Sequence, residues 1–130
     1  MRLRHAIKIA ASRERTFRAL TNLNEMNMWH SGELGGTIAP GAVLHLRPKP
    51  GLNFAWRTEF LEPDTLLVQT CVEGPRTGKT LRFDLSQANG YTLVELTDGE
   101  WSDDDPHLPF CNAHWGKVLH DLKFYVEREK

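Results

Sequence analysis

The chain has 130 residues, of which 40% are hydrophobic and 25% are charged, and its formal net charge is −1. A chain of this size fits one domain with one core, and its four Trp and six Phe argue against disorder. The near-zero charge disfavours nucleic acid or an acidic membrane surface as the main partner. We therefore expect a single domain over residues 1–130.

The sequence carries no signal for export or for a membrane span. The segment Met1–His5 carries charge but no apolar stretch, so we expect no signal peptide, and no apolar run approaches the roughly 20 residues of a span. Cys71 and Cys111 are far apart and form no disulfide framework or zinc pattern. We expect two reduced thiols in a cytoplasmic protein, with a disulfide between them as the alternative.

The first thirty residues predict one strand followed by two short helices. Residues 3–10 alternate between apolar and polar side chains, which is typical of a half-buried strand. Ser12 is a good N-cap for the first helix. The spacing of Leu23, Met26 and Trp29 indicates a second short helix, which ends before a Ser-Gly pair.

The middle of the chain reads as consecutive strands joined by tight turns. Gly35-Gly36 and Pro40-Gly41 punctuate a weak strand, and the stronger ones alternate in polarity between turn residues. These stronger strands are 42–47, 53–61, 65–72, 79–86 and 91–97. Asn89-Gly90 is the clearest hairpin signal, because a type I′ turn needs positive φ at both central positions.

A long amphipathic helix is predicted from Pro109 to Glu129, after an acidic segment that suits a helix N-terminus. Its apolar side chains recur at intervals of three and four: they are Trp115, Val118, Leu119, Leu122 and Val126. The element order predicts an α+β fold, with a curved antiparallel sheet of about six to seven strands wrapped on this helix.

Several segments together carry a resemblance to known proteins. They are 7–21, Met26–Trp29, Pro40-Gly41, Phe60–Pro63 with Leu66, Trp115-Gly116, Leu119, Leu122 and Tyr125–Glu127. On these segments the chain resembles the START-like, birch-pollen-allergen-like superfamily (SRPBCC), which has the helix-grip fold, and within it the family named for the activator of the heat-shock protein 90 ATPase.

The resemblance implies a pocket between the sheet and the last helix, which relatives use for lipids, hormones, polyketides or other apolar ligands. It supplies no universal catalytic residues. The family's co-chaperone role belongs to larger relatives that combine this domain with a second one, for which we expect no room in these 130 residues, so a chaperone partner is the less favoured expectation.

Two local patterns suggest chemistry that we do not expect here. Gly74-x-x-x-Gly78-Lys79-Thr80 is one residue short of a phosphate-binding loop, Pro75 removes an amide, and a strand rather than a helix follows. The spacing of His107, Cys111 and His114 would allow a metal site, or a thiol–imidazole pair at a helix start, but no third orienting group accompanies it. We predict no metal and no cofactor.

The four tryptophans are the candidate ligand-binding residues, although ordinary core packing is the alternative. A β-bulge would turn the charged side chain of Arg57 or Glu95 inward. The side-chain amide of Asn112, in the first turn of the last helix, would point into the pocket. The predicted ligand-binding residues are Trp29, Trp56, Arg57, Phe83, Glu95, Trp101, Asn112, Trp115 and Leu119.

Three functional hypotheses follow from these observations. The first is non-catalytic binding of a small apolar or aromatic molecule between the sheet and the last helix. The second is an enzyme of the polyketide cyclase, aromatase or hydrolase type on the same fold, and the third is a co-chaperone-like interaction module. A homodimer is compatible with each, since the sheet edges need cover.

Overall fold

A computed structural model describes residues 1–128 of the chain. Its elements are β1 (Leu3–Ile9), α1 (Arg13–Thr21), α2 (Leu23–Trp29), β2 (Glu33–Gly36), β3 (Val43–Lys49), β4 (Leu52–Glu62), β5 (Leu66–Glu73), β6 (Thr80–Ala88), β7 (Tyr91–Gly99) and α3 (Leu108–Arg128). The predicted order of elements is confirmed, and the predicted helix end at Glu129 lies outside the described residues.

The strands form one seven-stranded antiparallel sheet in the order β1-β7-β6-β5-β4-β3-β2. Neighbours in sequence pair directly from β2 to β7, as hairpin connections require. At the β6–β7 turn, Asn89 has φ 54 and Gly90 has φ 81, the two positive angles that the Asn-Gly pair predicts. The fold is therefore the expected α+β helix grip.

The inner face of the sheet and one face of α3 enclose the core. Alternate residues of β6 are buried, and α3 buries Val118, Leu119, Leu122 and Val126, which is the predicted apolar face. Helix α3 packs on β1 and against both short helices. Within residues 1–128, no helix combines the length and the apolar character that crossing a bilayer would need.

Strand β4 bends the sheet. Its register with β5 shifts between Ala55 and Trp56 and again between Thr58 and Phe60, and such bulges bend a strand and strengthen its twist. Trp56 and Thr58 are both buried after these shifts, whereas Arg57 between them is exposed. Trp56, a predicted ligand-binding residue, therefore lies on the inner face of the bent strand.

Glu25 joins all three helices. Its carboxylate accepts hydrogen bonds from Arg15 and Arg18 of α1 and from the hydroxyl of Tyr125 of α3, the last at 2.9 Å. Burial alone would raise the pKa of Glu25, but the hydrogen bonds from Tyr125, Arg15 and Arg18 lower it. This carboxylate fixes the C-terminal half of α3 against α1 and α2.

Candidate functional site

A row of polar side chains crosses the inner face of the sheet. The strand register pairs Thr58 of β4 with Gln69 of β5, Gln69 with Leu81 of β6, and Leu81 with Asp98 of β7. Thr58 is 1% exposed, and Gln69 and Asp98 are each 3% exposed. Because buried polar groups are uncommon in a small apolar core, this row is the most unusual feature of the interior.

Asp98 connects the sheet to α3 and to the β5–β6 turn. Arg76 of that turn donates to one carboxylate oxygen at 3.0 Å, and the indole Nε1 of Trp115 donates to the other at 3.0 Å. The Arg76 side chain is 11% exposed and that of Asp98 is 5% exposed, so this ion pair is largely removed from water. The pair holds the first half of α3 against the sheet.

Arg76 also stacks on Trp101. The guanidinium carbon lies 3.6 Å from the centre of the indole ring, a short cation–π contact. Trp101 is buried, and its backbone exchanges two hydrogen bonds with Met1: the amino group donates to the Trp101 carbonyl, and the Trp101 amide donates to the Met1 carbonyl. The segment after β7 is thereby fixed at one end of the core.

Four buried polar atoms around this row lack a hydrogen-bond partner among residues 1–128. They are Thr58 Oγ1, Gln69 Nε2, Arg76 Nε and Trp101 Nε1. A buried donor or acceptor without a partner is destabilising, and most native proteins contain only a few. The fifth such atom in the described residues is Arg13 Nε of α1. Thr58 and Gln69 are register partners, so a further molecule placed between them could supply partners for both.

Aromatic side chains adjoin the polar row, and most of them are predicted site residues. Phe83 of β6 meets Trp115 of α3 edge to face, with ring centres 6.2 Å apart. Trp56 stacks with Phe54 at 6.4 Å, and both Trp56 and Leu119 belong to the same buried cluster as Phe83. The structure therefore brings Trp56, Phe83, Trp115 and Leu119 together, and the stack on Arg76 places Trp101 beside the Asp98 end.

Trp29 has a different position from the other tryptophans. Its indole donates to the carbonyl of Ala19 at 2.9 Å, which ties α2 to α1. Its ring is partly buried against the core and lies 5.3 Å from the ring of His30. Trp29 therefore lies at the helical edge of the core and holds the two short helices together.

The three remaining predicted residues lie on the outside. Arg57 donates to Glu59 at 2.6 Å on the exposed face, and Glu95 is also exposed there. Asn112 Oδ1 lies 2.9 Å from the Nε2 atom of His5 on β1. The structure does not bring these three side chains to the aromatic residues.

Two open concavities lie along the sheet. One of about 480 Å³ is bordered by residues of β2, β3, β4 and β5, both polar ones such as Arg47 and the apolar Leu34, Leu46 and Phe54. The other, of about 370 Å³, is bordered by Arg4, Asp84 and Glu95. No residue of α3 borders either of them.

The thiols of the chain are free, and their surroundings disfavour the thiolate. Burial raises the pKa of the Cys71 thiol, and burial together with the charge of Asp98 raises that of the Cys111 thiol. His107 precedes α3, and within residues 1–128 no three His, Cys, Asp or Glu side chains are placed to hold a metal ion together.

Sequence reasoning missed Thr58, Gln69, Arg76 and Asp98. Gln69 carries a usable signal, since it is a polar residue at an inward position of the otherwise apolar strand β5. In the sequence, Asp98 is followed by glycine, which indicates a strand end, and Arg76 lies between turn residues, so neither position signals a buried charge. Their pairing joins two segments that are 22 residues apart, so local patterns could not reveal it.

Comparison with known proteins agrees with this architecture. The family model described as activator of Hsp90 ATPase homolog 1-like protein matches residues 10–127. The chain belongs to this family. No curated protein sequence was found to match the chain.

Solved structures of similar proteins share the fold along almost the whole chain. The Aha1 dimer of Colwellia psychrerythraea is 24% identical with a TM-score of 0.89, and the match covers 98% of this chain and 96% of that one. CalU16 of Micromonospora echinospora is 21% identical with a TM-score of 0.81, covering 98% of this chain and 77% of that one. DynU16, from the dynemicin biosynthetic locus, is 19% identical with a TM-score of 0.84, and this chain spans 48% of its length.

Because the Arg76–Asp98 pair is buried, we predict that replacing Asp98 lowers the free energy of unfolding much more than replacing the exposed Asp84. Replacing Asp98 by Asn leaves Arg76 charged and buried without its counterion, so we expect the free energy of unfolding to fall by about 3 kcal/mol. The control is Asp84→Asn, which removes an exposed pair with Arg82 and should change it by less than about 1 kcal/mol. Urea denaturation measures both, and equal effects would contradict the assigned role of Asp98.

Two histidines near the start of α3 predict a loss of stability in mild acid. Burial lowers the pKa of His30 and of His114 below the usual 6.5. The unfolded chain therefore binds protons more readily, and the free energy of unfolding should decrease as pH falls through 6.5 towards the lower folded values.

A histidine variant tests whether His30 causes this pH dependence of stability. His30→Gln should flatten the dependence of the unfolding free energy on pH between about 7 and 5.5, whereas Asn27→Gln, at an exposed site on α2, should keep the wild-type slope. Urea denaturation at a series of pH values measures this. An identical slope in the wild type and in His30→Gln would refute the assignment.

Proposed function

We propose that this protein binds a small apolar or aromatic molecule between the inner face of the sheet and α3, without chemical conversion. The observation that carries the proposal is the buried Arg76–Asp98 pair, whose second oxygen holds Trp115 of α3. A buried ion pair is weak support for stability, because removing two charges from water offsets most of their attraction. We propose that the pair is present because it helps to form a ligand site.

The surroundings of the pair have the character of a small-molecule site. Such sites have mostly apolar and aromatic walls with a few placed polar groups that orient the ligand. Here Trp56, Phe83 and Trp115 supply aromatic surface, and the inward polar row supplies the placed groups. The family resemblance to proteins that hold apolar ligands at this position supports the same proposal.

Entry is proposed at the start of α3. Trp115 is only partly buried, and the segment 100–107 that precedes the helix has no regular structure. The C-terminal half of the helix is fixed through Tyr125, whereas the first half is held by the Trp115–Asp98 hydrogen bond and by the exposed Asn112–His5 contact. Breaking these two contacts and turning Trp115 outward would open the inner face.

Binding without conversion is favoured by the state of the reactive groups. Both oxygens of Asp98 already accept hydrogen bonds, which leaves this carboxylate poorly placed to take a proton from a ligand. The raised pKa values of both thiols keep them protonated near neutral pH, so they are weak nucleophiles. Glu59 and Glu95 lie on the outer face.

A fluorescent apolar probe tests the proposed function. N-phenyl-1-naphthylamine should bind saturably, one molecule per chain, with energy transfer from tryptophan. Leu119→Trp should reduce its affinity at least tenfold, because the added ring occupies the space beneath α3, whereas Phe124→Trp on the exposed face should not. Circular dichroism checks that both variants fold, and absence of saturable binding to the wild type would contradict the proposal.

Association of two copies through β2 is the accompanying proposal. The two edges of the sheet differ, because α3 covers β1: Lys123 donates to the Lys8 carbonyl at 2.7 Å and Glu127 accepts from the Ala10 amide at 2.8 Å. Strand β2 pairs on one side with β3 and is the opposite edge. The description of the similar Colwellia protein as a dimer supports this proposal.

Light scattering tests the dimer. We expect a mass of about twice 14.9 kDa at high concentration. Gly35→Lys should shift the protein towards monomer, since a lysine on an edge strand opposes pairing and a side chain at Gly35 meets no atom within 4 Å. Gly116→Lys, where an added side chain on α3 also meets no atom within 4 Å, is the control for added charge, and a monomer at every concentration would overturn the proposal.

A further inference from the structure

We infer that Thr58 and Gln69 form a subsite for an uncharged oxygen acceptor of the ligand, such as the carbonyl of an aromatic ketone. The inference rests on the proposed function, since it names the chemistry of the molecule held there. It uses two side chains that the Arg76–Asp98 pair does not involve.

The two side chains are adjacent and buried, and each has an unused hydrogen-bonding group. They are paired directly across β4 and β5, which places their Cβ atoms about 5 Å apart on the inner face. Nevertheless, Thr58 Oγ1 and Gln69 Nε2 contact no partner in the described part of the chain. A hydroxyl and an amide NH₂ can both donate, so one oxygen placed between them can accept from both.

The neighbouring residues make this an apolar place with two donors. Trp56 and Cys71, the next inward pair on the same two strands, are both buried, and so is Leu81 on the far side of Gln69. Aromatic surface for the body of the ligand is therefore next to the donors. An apolar wall beside a pair of donors fits a flat ring system that carries one carbonyl group.

Charge decides between a ketone and a carboxylate. The nearest buried charges are Asp98 and Arg76, which neutralise each other. Asp98 lies two strands from Gln69, about 10 Å away at the usual strand spacing. A carboxylate at Thr58 and Gln69 would thus be a buried anion without a counterion, whereas a neutral carbonyl needs only the two hydrogen bonds.

Three naphthalene derivatives test the inference by displacing N-phenyl-1-naphthylamine. 2-Acetylnaphthalene and 2-ethylnaphthalene have nearly the same shape and differ in one carbonyl oxygen, and 2-naphthoate adds a charge. We expect 2-acetylnaphthalene to bind roughly five- to tenfold more tightly than 2-ethylnaphthalene, and 2-naphthoate to bind most weakly.

Gln69→Leu and Thr58→Val remove the donors with little change in volume. Since each replaces an unpartnered buried polar group by an apolar one, we expect both variants to fold and to retain or gain stability. The preference for 2-acetylnaphthalene over 2-ethylnaphthalene should fall to about one in Gln69→Leu and decrease in Thr58→Val. The matched control is Gln87→Leu, which alters an exposed glutamine on β6 and should keep the wild-type preference.

The outcomes separate this inference from the proposed function. Equal affinity of the wild type for the ketone and the hydrocarbon would overturn the subsite. Ordered water would then be the partner of the two donors, and the proposed binding of an apolar molecule would still stand. Tighter binding of 2-naphthoate would overturn the uncharged class. Binding of none of the probes would overturn the proposed function itself.

Discussion

The carboxylate of Asp98 is the interaction on which the arrangement of the interior depends. It joins three segments that are separate in sequence: strand β7, the β5–β6 turn through Arg76, and α3 through Trp115. Each of its oxygens has one donor, so neither contact can be lost without leaving a buried polar group unsatisfied. The same contacts position Trp101, Trp115 and Phe83 around one end of the core.

Two carboxylates fasten α3 at different points along its length. Asp98 holds Trp115 and Glu25 holds Tyr125, which lie ten residues, or about 15 Å, apart on the helix. The C-terminal half is also attached through Lys123, which donates to the Lys8 carbonyl, and through Glu127, which accepts from the Ala10 amide. The N-terminal half has only the exposed Asn112–His5 contact besides Trp115 among the hydrogen bonds described, so an opening motion would begin there.

The fold could be predicted from local patterns because alternation, turn residues and helical spacing each report a short-range constraint. Asn89-Gly90 and the apolar face from Val118 to Val126 are examples. The site could be predicted only in part. Trp56 and Phe83 are buried as strand alternation favours, but the Arg76–Asp98 pair depends on long-range pairing, and the bulges of β4 leave Arg57 outside. A charged residue on a strand gives no local sign of which partner will approach it.

The covering of β1 by α3 limits how copies of this chain can assemble. A sheet with two exposed edges can add neighbours without end, as fibrils do, whereas a sheet with one exposed edge can only form a closed two-fold pair through it. Lys123 occupies the Lys8 carbonyl of β1, and Glu127 occupies the amide of Ala10 just after the strand, so another strand cannot pair with these two groups. The last turns of α3 thus oppose open-ended addition of further chains at this edge, in addition to completing the core.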